Sequence, residues 1–175
     1  ADLDRQHSAT EWLSRRPAFM PTIYSYSDHK KEHLPKIDWL ITDSPAGFRE
    51  QKMSDAVREA DCILIPIQPS IFDVTASSDF LDILNREKAV RKHKTFVALV
   101  GMRVNARANV TAKLAEFMEY TGLPVLTYLR NSQVYTAAAE QGVSLFDLRP
   151  SFVAQDIAQW EPLIAWISEM TNRDI

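Results

Sequence analysis

Short apolar runs and helical apolar periodicities alternate along this chain. Several apolar runs have the length of buried strands and are bounded by polar or turn-forming residues. Three of these runs are strong strand predictions. The predicted strands are Thr22–Tyr26, Trp39–Asp43, Asp61–Ile67, Thr95–Met102 and Pro124–Tyr128. Because predicted helices separate them, the pattern indicates βαβ units. We therefore expect an α/β fold with a mostly parallel sheet and helices on both faces.

Apolar residues three or four positions apart predict the intervening helices. Ser8 or Thr10 is a candidate cap for the first helix, and Asn109 for the helix ending near Tyr120. Gly122 is a natural helix terminator, and a later helix closes at a second glycine. Pro162 lies inside the last apolar pattern and should bend or restart that helix. The predicted helices cover about 8–16, 50–60, 72–88, 110–120, 132–141 and 153–167.

Length and composition narrow the class of protein. A chain of 175 residues is most simply one domain, which we expect to span residues 1–175. Its net charge of −3 gives no global attraction to nucleic acid or anionic lipid. Cys62 is the single cysteine, so a reducing, cytoplasmic compartment is expected. No run approaches the roughly 18 apolar residues of a membrane span.

Three carboxylates carry the candidate chemistry. The segment Ile37–Gly47 ends its apolar run at Asp43 and then turns through Ser-Pro-Ala-Gly. In parallel α/β folds, ligands bind beyond the carboxyl ends of the strands. Asp2 and Asp4, one residue apart, would point to the same side of an extended chain. If the two segments are neighbours, the carboxylates would offer hard oxygen ligands for Mg²⁺.

Two phosphate-handling families fit this outline poorly. A haloacid-dehalogenase-type phosphatase begins with Asp-x-Asp but needs a downstream acidic pair, which we do not find in the required order. A response-regulator receiver needs a lysine after its fifth strand, whereas the third strong strand here ends in Val-Gly-Met-Arg. A receiver is also about 50 residues shorter.

A third family fits in five places. The chain resembles the ParA/MinD-type partition ATPases, deviant P-loop NTPases, over nearly all of residues 1–148. The family's DLDPQGSAT segment appears as DLDRQHSAT, its DTPPG ending as DSPAG, and its base-binding loop as VGMRVNAR. The matching segments are Asp2–Thr10, Ile37–Gly47, Asp61–Asp73, Val100–Arg107 and Leu126–Leu148.

The resemblance implies a role for each matching site residue. Asp43 would hold Mg²⁺ through a water, and Gly47 would offer its amide to the γ-phosphate of ATP. Asp2 would lie in the outer metal shell, and Asp4 would position the hydrolytic water. Arg103 would flank the adenine.

Further matches concern the base and DNA. Met102 stands where the family places an adenine-contacting asparagine, which leaves base specificity open. Arg130 matches a basic position used for non-specific DNA contact, and it is equally interpretable as an exposed arginine at a strand end. A basic run has the same two interpretations, DNA binding or solvated charges near a helix end. It comprises Arg86, Lys88, Arg91, Lys92 and Lys94.

The phosphate-binding loop of the family is not among these residues. The chain has four glycines and no Gly-Lys-Ser/Thr sequence. We expect the strand–loop–helix unit that carries this loop to precede Ala1, as about 35–40 residues of a βαβ unit. Without that loop, phosphate affinity should be very low. The chain by itself is therefore expected to be inactive.

The resemblance implies an ATP-dependent partition protein. The intact protein would bind MgATP, form a homodimer, bind non-specific DNA on the nucleoid, and respond to a centromere-binding, ParB-like partner. Its cargo, plasmid or chromosome, stays open. One alternative is a non-catalytic interaction module with the same fold. Another is a MinD-like positioning ATPase, although the polar ending TNRDI lacks the basic amphipathic character of a membrane-binding segment. We therefore expect no membrane partner.

Overall fold

The computed structural model describes residues 1–26, 36–45, 50–87, 90, 92, 94–105 and 108–172. The helices are α1 (Ser8–Ser14), α2 (Glu50–Glu59), α3 (Ile71–Leu84), α4 (Asn109–Tyr120), α5 (Gln133–Glu140) and α6 (Pro150–Thr171). The strands are β1 (Cys62–Ile67), β2 (Phe96–Val104) and β3 (Val125–Arg130), and a 3-10 turn covers Leu145–Asp147. Two compact units divide the chain: Ala1–Phe48 with Gln133–Val153, and Arg49–Ser132 with Ala154–Ile175. The single domain stays a prediction.

The second unit contains a three-stranded parallel sheet in the order β1-β2-β3. Cys62 pairs with Phe96 at one end of the β1–β2 ladder, and Ile67 pairs with Gly101 at the other. Helix α3 packs against β1, and α4 packs against β2. The predicted α/β class with a parallel sheet is confirmed.

Burial explains why β2 is the central strand. Residues 97–101 are all buried, because β2 has a neighbour on each edge and helices pack against the sheet. Val100 and Leu129 form a core cluster with Leu163 of α6. The three strand predictions over Asp61–Ile67, Thr95–Met102 and Pro124–Tyr128 are confirmed to within two residues at either end.

Two strand predictions are wrong. Thr22–Tyr26 has no strand structure, and its Ile23 and Tyr24 are about half exposed. Trp39–Asp43 forms no continuous strand: its β-bridge among the described residues is the isolated one at Asp43, the Ile41 carbonyl accepts a hydrogen bond from the Ala1 ammonium at 2.7 Å, and Ile41 is 75% exposed. A buried strand needs a ladder of backbone hydrogen bonds to neighbours, and apolar composition does not provide one.

Several helix ends also differ from expectation. His7, in a left-handed conformation, occupies the cap position of α1, so Ser8 and Thr10 lie inside the helix. Asn109 is the first residue of α4, and the cap position belongs to Ala108. Helix α6 continues through Pro162 without a restart, and the alternative, a bend at Pro162, stays a prediction. No helix in the described part of the chain is long and apolar enough to cross a membrane.

Glycines end two helices as predicted. Gly122 and Gly142 follow α4 and α5 with φ angles of 71° and 67°. Gly142 also lies against the backbone of α1's last turn, where an added Cβ would come within 2.6 Å of the Arg15 oxygen. A side chain at residue 142 would therefore meet both strain and backbone.

The C-terminal end of α1 is tied to the segment after α5 within the first unit. The Arg16 guanidinium lies 3.1 Å from an Asp147 carboxylate oxygen, and both side chains are nearly buried. The Trp12 ring N–H donates to the Val143 carbonyl at 3.3 Å. Asp147 also accepts hydrogen bonds from the backbone N–H and hydroxyl of Ser144, each at 2.8 Å.

Candidate functional site

The structure joins two of the sequence segments that carry the predicted site. Asp2 and Asp43 form an isolated parallel bridge. The Leu3 N–H donates to the Asp43 carbonyl at 2.8 Å, and the Asp43 N–H donates to the Ala1 carbonyl at 2.8 Å. The DLD and TDSP segments are therefore neighbours, as expected. The two bridged residues, Asp2 and Asp43, are 41 positions apart in sequence.

The Asp4 carboxylate, like that of Asp2, acts electrostatically on Asp43. Partial burial raises the pKa of Asp43, and the negative charges of Asp2 and Asp4 raise it further. Like charges held together disfavour ionisation unless a cation compensates them. The charge of Asp43 is also partly compensated by the nearby Ala1 ammonium, which lowers its pKa.

The Asp2 carboxylate is engaged by hydrogen bonds within the chain. Its Oδ2 accepts the Thr10 N–H at 2.8 Å and the Thr10 hydroxyl at 2.9 Å. Its Oδ1 accepts the Asp4 N–H at 3.2 Å. The Thr10 backbone bond is the main cause of the lowered pKa of Asp2. The sequence predicts Thr10 only as a candidate helix cap, and no feature of the sequence indicates its bond to Asp2.

Asp4 lies in the chain between Asp2 and the start of α1. Its Oδ1 accepts the Gln6 N–H at 3.3 Å, and its backbone carbonyl accepts the His7 N–H at 3.2 Å. The residue is half-buried. Its backbone is thus held on both sides, by Asp2 before it and by the turn into α1 after it.

The donors available here are carboxylate oxygens, and the cation that the resemblance implies is Mg²⁺. Hard carboxylate oxygens suit Mg²⁺, which keeps several of its waters in proteins. Among the described residues, no group of three or more His, Cys, Asp or Glu side chains is placed to hold a metal ion. Within those residues, the Asp43 carboxylate accepts no hydrogen bond, so its oxygens are available to a metal-bound water. The residues fit indirect binding of Mg²⁺ through water.

Three further residues, Gly47, Met102 and Arg103, are those that the resemblance places around the nucleotide. Gly47 lies outside the described residues. Arg103 is exposed in a left-handed conformation, φ 50°, where the β2–β3 register shifts between Gly101 and Val104. Met102 packs on the core cluster at Val100, Leu129 and Leu163. The base-binding roles of Arg103 and Met102 stay predictions.

Arg130 has an intramolecular partner that the sequence analysis did not identify. Its guanidinium pairs with both carboxylate oxygens of Asp156, and its backbone N–H donates to Gln159 at 3.0 Å. An aspartate three residues after buried Val153, on the apolar face of α6, was the available signal. DNA contact by Arg130 stays a prediction, but its guanidinium already has a structural role.

The basic run is only partly within the described residues. Arg86, Lys92 and Lys94 are exposed there, whereas Lys88 and Arg91 lie outside them. The exposed residues lie between the end of α3 and the start of β2. Both interpretations, DNA contact and solvated charge, stay open.

Comparison with known proteins follows from this fold and site. The parallel α/β arrangement is consistent with a P-loop-like fold. The chain is similar to "Maintenance of carboxysome distribution protein A" of Halothiobacillus neapolitanus (strain ATCC 23641 / c2). Identity is 29% over 156 residues, which cover 84% of this chain and 72% of the relative. This similarity is consistent with a ParA/MinD-type family. No family model matches the chain.

Proposed function

We propose that the intact protein is a cytoplasmic, MgATP-dependent positioning ATPase of the ParA type. The Asp2–Asp43 bridge is the observation that carries this proposal, because it joins two segments that the family uses together. The similarity to a carboxysome distribution protein supports positioning as the role. We take a carboxysome-like body as the cargo, since the relative's name specifies one, and retain DNA partition as the alternative.

Two carboxylates carry the proposed chemistry. Asp43 would hold Mg²⁺ through a water, and the neighbouring charges of Asp2 and Asp4, which raise its pKa, support a cation there. Asp4 orients the attacking water, and its doubly held backbone supports that task. Gly47 donates its amide to the γ-phosphate, and Arg103 and Met102 flank the base. Bound Mg²⁺ would neutralise charge on the phosphates.

The proposed cycle requires two kinds of partner. MgATP promotes a homodimer that binds non-specific DNA as a surface, with the exposed Lys92 and Lys94 as candidate contacts. A ParB-like partner on the cargo stimulates hydrolysis and releases the dimer from DNA. Repeated release and rebinding would distribute the cargo along the nucleoid.

ATP hydrolysis by the full-length protein tests the site. Asp4→Ala should lower turnover by about 100-fold or more while ATP still binds, because positioning of the water is lost. Asp43→Ala should weaken Mg²⁺-dependent nucleotide binding. Asp82→Ala, at an exposed aspartate of α3, is the matched control and should behave as the parent. Parental turnover in Asp4→Ala would contradict the assignment.

Imaging in cells tests the cargo. Deletion of the gene should cluster carboxysome-like bodies and leave plasmid inheritance unchanged. Plasmid loss with normal body distribution would favour DNA partition instead.

The alternative of a non-catalytic interaction module has one supporting observation, which is that the chain carries no Gly-Lys-Ser/Thr sequence. We propose that the 175-residue chain alone neither binds nor hydrolyses ATP measurably. Calorimetry with MgATP checks this, and micromolar binding would contradict it. A full-length protein that also lacks hydrolysis would favour the interaction module.

A further inference from the structure

The Asp2 carboxylate is almost enclosed by hydrogen bonds within the chain. Both Thr10 donors reach the same oxygen, Oδ2, at 2.8 and 2.9 Å, and the Asp4 N–H reaches the other at 3.2 Å. Only 8% of the Asp2 side chain is exposed. An ionised carboxylate has about four acceptor positions. Three are therefore occupied, and little remains for a metal-bound water.

These bonds supply what the first turn of α1 otherwise lacks. The first N–H groups of a helix have no partner inside the helix, and a side-chain oxygen at the cap position usually accepts one. His7 occupies that position and makes no such bond. Thr10 is the third residue of α1, and Asp2 accepts its N–H from five residues before the cap. Asp2 therefore performs the task of a capping side chain.

The same carboxylate fixes Asp4. Asp4 lies between Asp2 and α1, and its N–H donates to Asp2 while its carbonyl accepts the His7 N–H. Asp2 itself is paired with Asp43 through the backbone bridge. The Asp2–Thr10 contact thus connects the start of α1, the Asp4 backbone and the Asp43 segment.

We propose that Asp2 and Thr10 are positioning residues, which cap α1 and hold Asp4 beside Asp43, and that Asp2 does not serve the outer metal shell. The structural part rests on the hydrogen bonds alone. The kinetic part rests on the proposed function.

Asparagine at residue 2 separates the two roles. It keeps one carbonyl oxygen, which can accept both Thr10 donors, but it loses the oxygen that accepts the Asp4 N–H and removes the charge that a metal shell would use. Asparagine and aspartate are also about equally good caps. Alanine removes both properties. At residue 10, serine keeps both donors, whereas valine removes the hydroxyl and leaves the backbone N–H.

Amide hydrogen exchange in the full-length protein, without nucleotide, is the first measurement. Asp2→Ala should speed exchange of the α1 amides by about tenfold, the usual effect of a lost cap. Thr10→Val should speed it by a smaller factor, while Asp2→Asn and Thr10→Ser stay close to the parent. Asp82→Ala is the control outside the cluster. Unchanged α1 exchange in both Asp2→Ala and Thr10→Val would overturn the proposal.

Turnover is the second measurement. Asp2→Asn should retain at least about ten times the turnover of Asp2→Ala, with the Mg²⁺ concentration for half-maximal rate unchanged, because the contacts with Thr10 that cap α1 are restored without the charge. Equal loss in both variants with a raised Mg²⁺ requirement would assign Asp2 to the metal shell instead. If the parent hydrolyses no ATP, the proposed function fails, and the exchange data still decide the capping role.

Discussion

Arg130 and Asp156 form an ion pair with two parallel contacts, Nε to Oδ1 at 2.8 Å and Nη2 to Oδ2 at 2.7 Å. The Asp156 side chain is fully buried, whereas 37% of the Arg130 side chain is exposed. The pair ties the end of β3 to α6, whose Leu163 lies in the core cluster. A buried carboxylate therefore depends on one arginine for its charge compensation.

Arg130→Ala should lower the free energy of unfolding by about 3 kcal/mol, because it leaves a buried charge without a partner. Arg149→Ala, at an exposed arginine, should change it by less than about 0.5 kcal/mol. Urea denaturation at neutral pH measures both. If Arg130→Ala lowered the free energy of unfolding by no more than Arg149→Ala does, the pair would contribute little to stability.

The pair should also make stability depend on pH. The Arg130 guanidinium lowers the pKa of Asp156, so the folded state favours the ionised carboxylate. This contribution is present above the unfolded pKa of about 3.9 and is lost as pH falls through the lower folded value. The difference in unfolding free energy between the parent and Arg130→Ala should therefore shrink as pH falls below about 4. Urea denaturation across that range measures it, and a constant difference would contradict the assignment.

Gly101→Ala should destabilise the sheet by about 1–3 kcal/mol through overpacking. The added Cβ would overlap Cδ1 of the Tyr128 ring on the paired strand and lie 3.0 Å from its Cε1. In a Tyr128→Val background the penalty should fall by at least half. Thermal or urea unfolding of the four variants forms a double-mutant cycle, and additive effects would contradict the contact.

Gly122→Ala is the matched control for that substitution. No atom lies within 4 Å of an added Cβ there, but the φ of 71° disfavours any side chain. The cost should be about 1–2 kcal/mol from backbone strain alone. The cost of Gly122→Ala should be the same in the parent and in the Tyr128→Val background.

Lys92 and Lys94 provide a test of DNA binding by the intact protein. If they contact phosphates, Lys92→Ala and Lys94→Ala should each reduce the slope of log affinity against log salt by about one. Lys113→Ala, at an exposed lysine of α4, is the control. Fluorescence anisotropy with random-sequence DNA measures the slope. Unchanged slopes would identify the basic run as solvated charge.

The local sequence predicted elements where one pattern dominated. Residues 97–100 are continuously apolar, and that composition suits a strand covered on both faces, as β2 is. Gly122 and Gly142 marked helix ends because the left-handed conformation strongly favours glycine. The apolar run Trp39–Asp43 looked equally strong but is exposed in the described residues, since the sequence of a segment does not specify its strand partners.

Local sequence patterns predicted the α/β class, the three strands of the sheet, most helices, and the three carboxylates that a cation site would need. The hydrogen-bond partners of those carboxylates depend on tertiary contacts. Asp2 is engaged by Thr10, whereas partial burial and then the charges of Asp2 and Asp4 raise the pKa of Asp43. The tertiary structure also pairs Arg130 with Asp156, 26 residues away. The physical reason is that periodicity specifies which face of an element is buried, whereas hydrogen-bond and charge partners depend on contacts between segments distant in sequence.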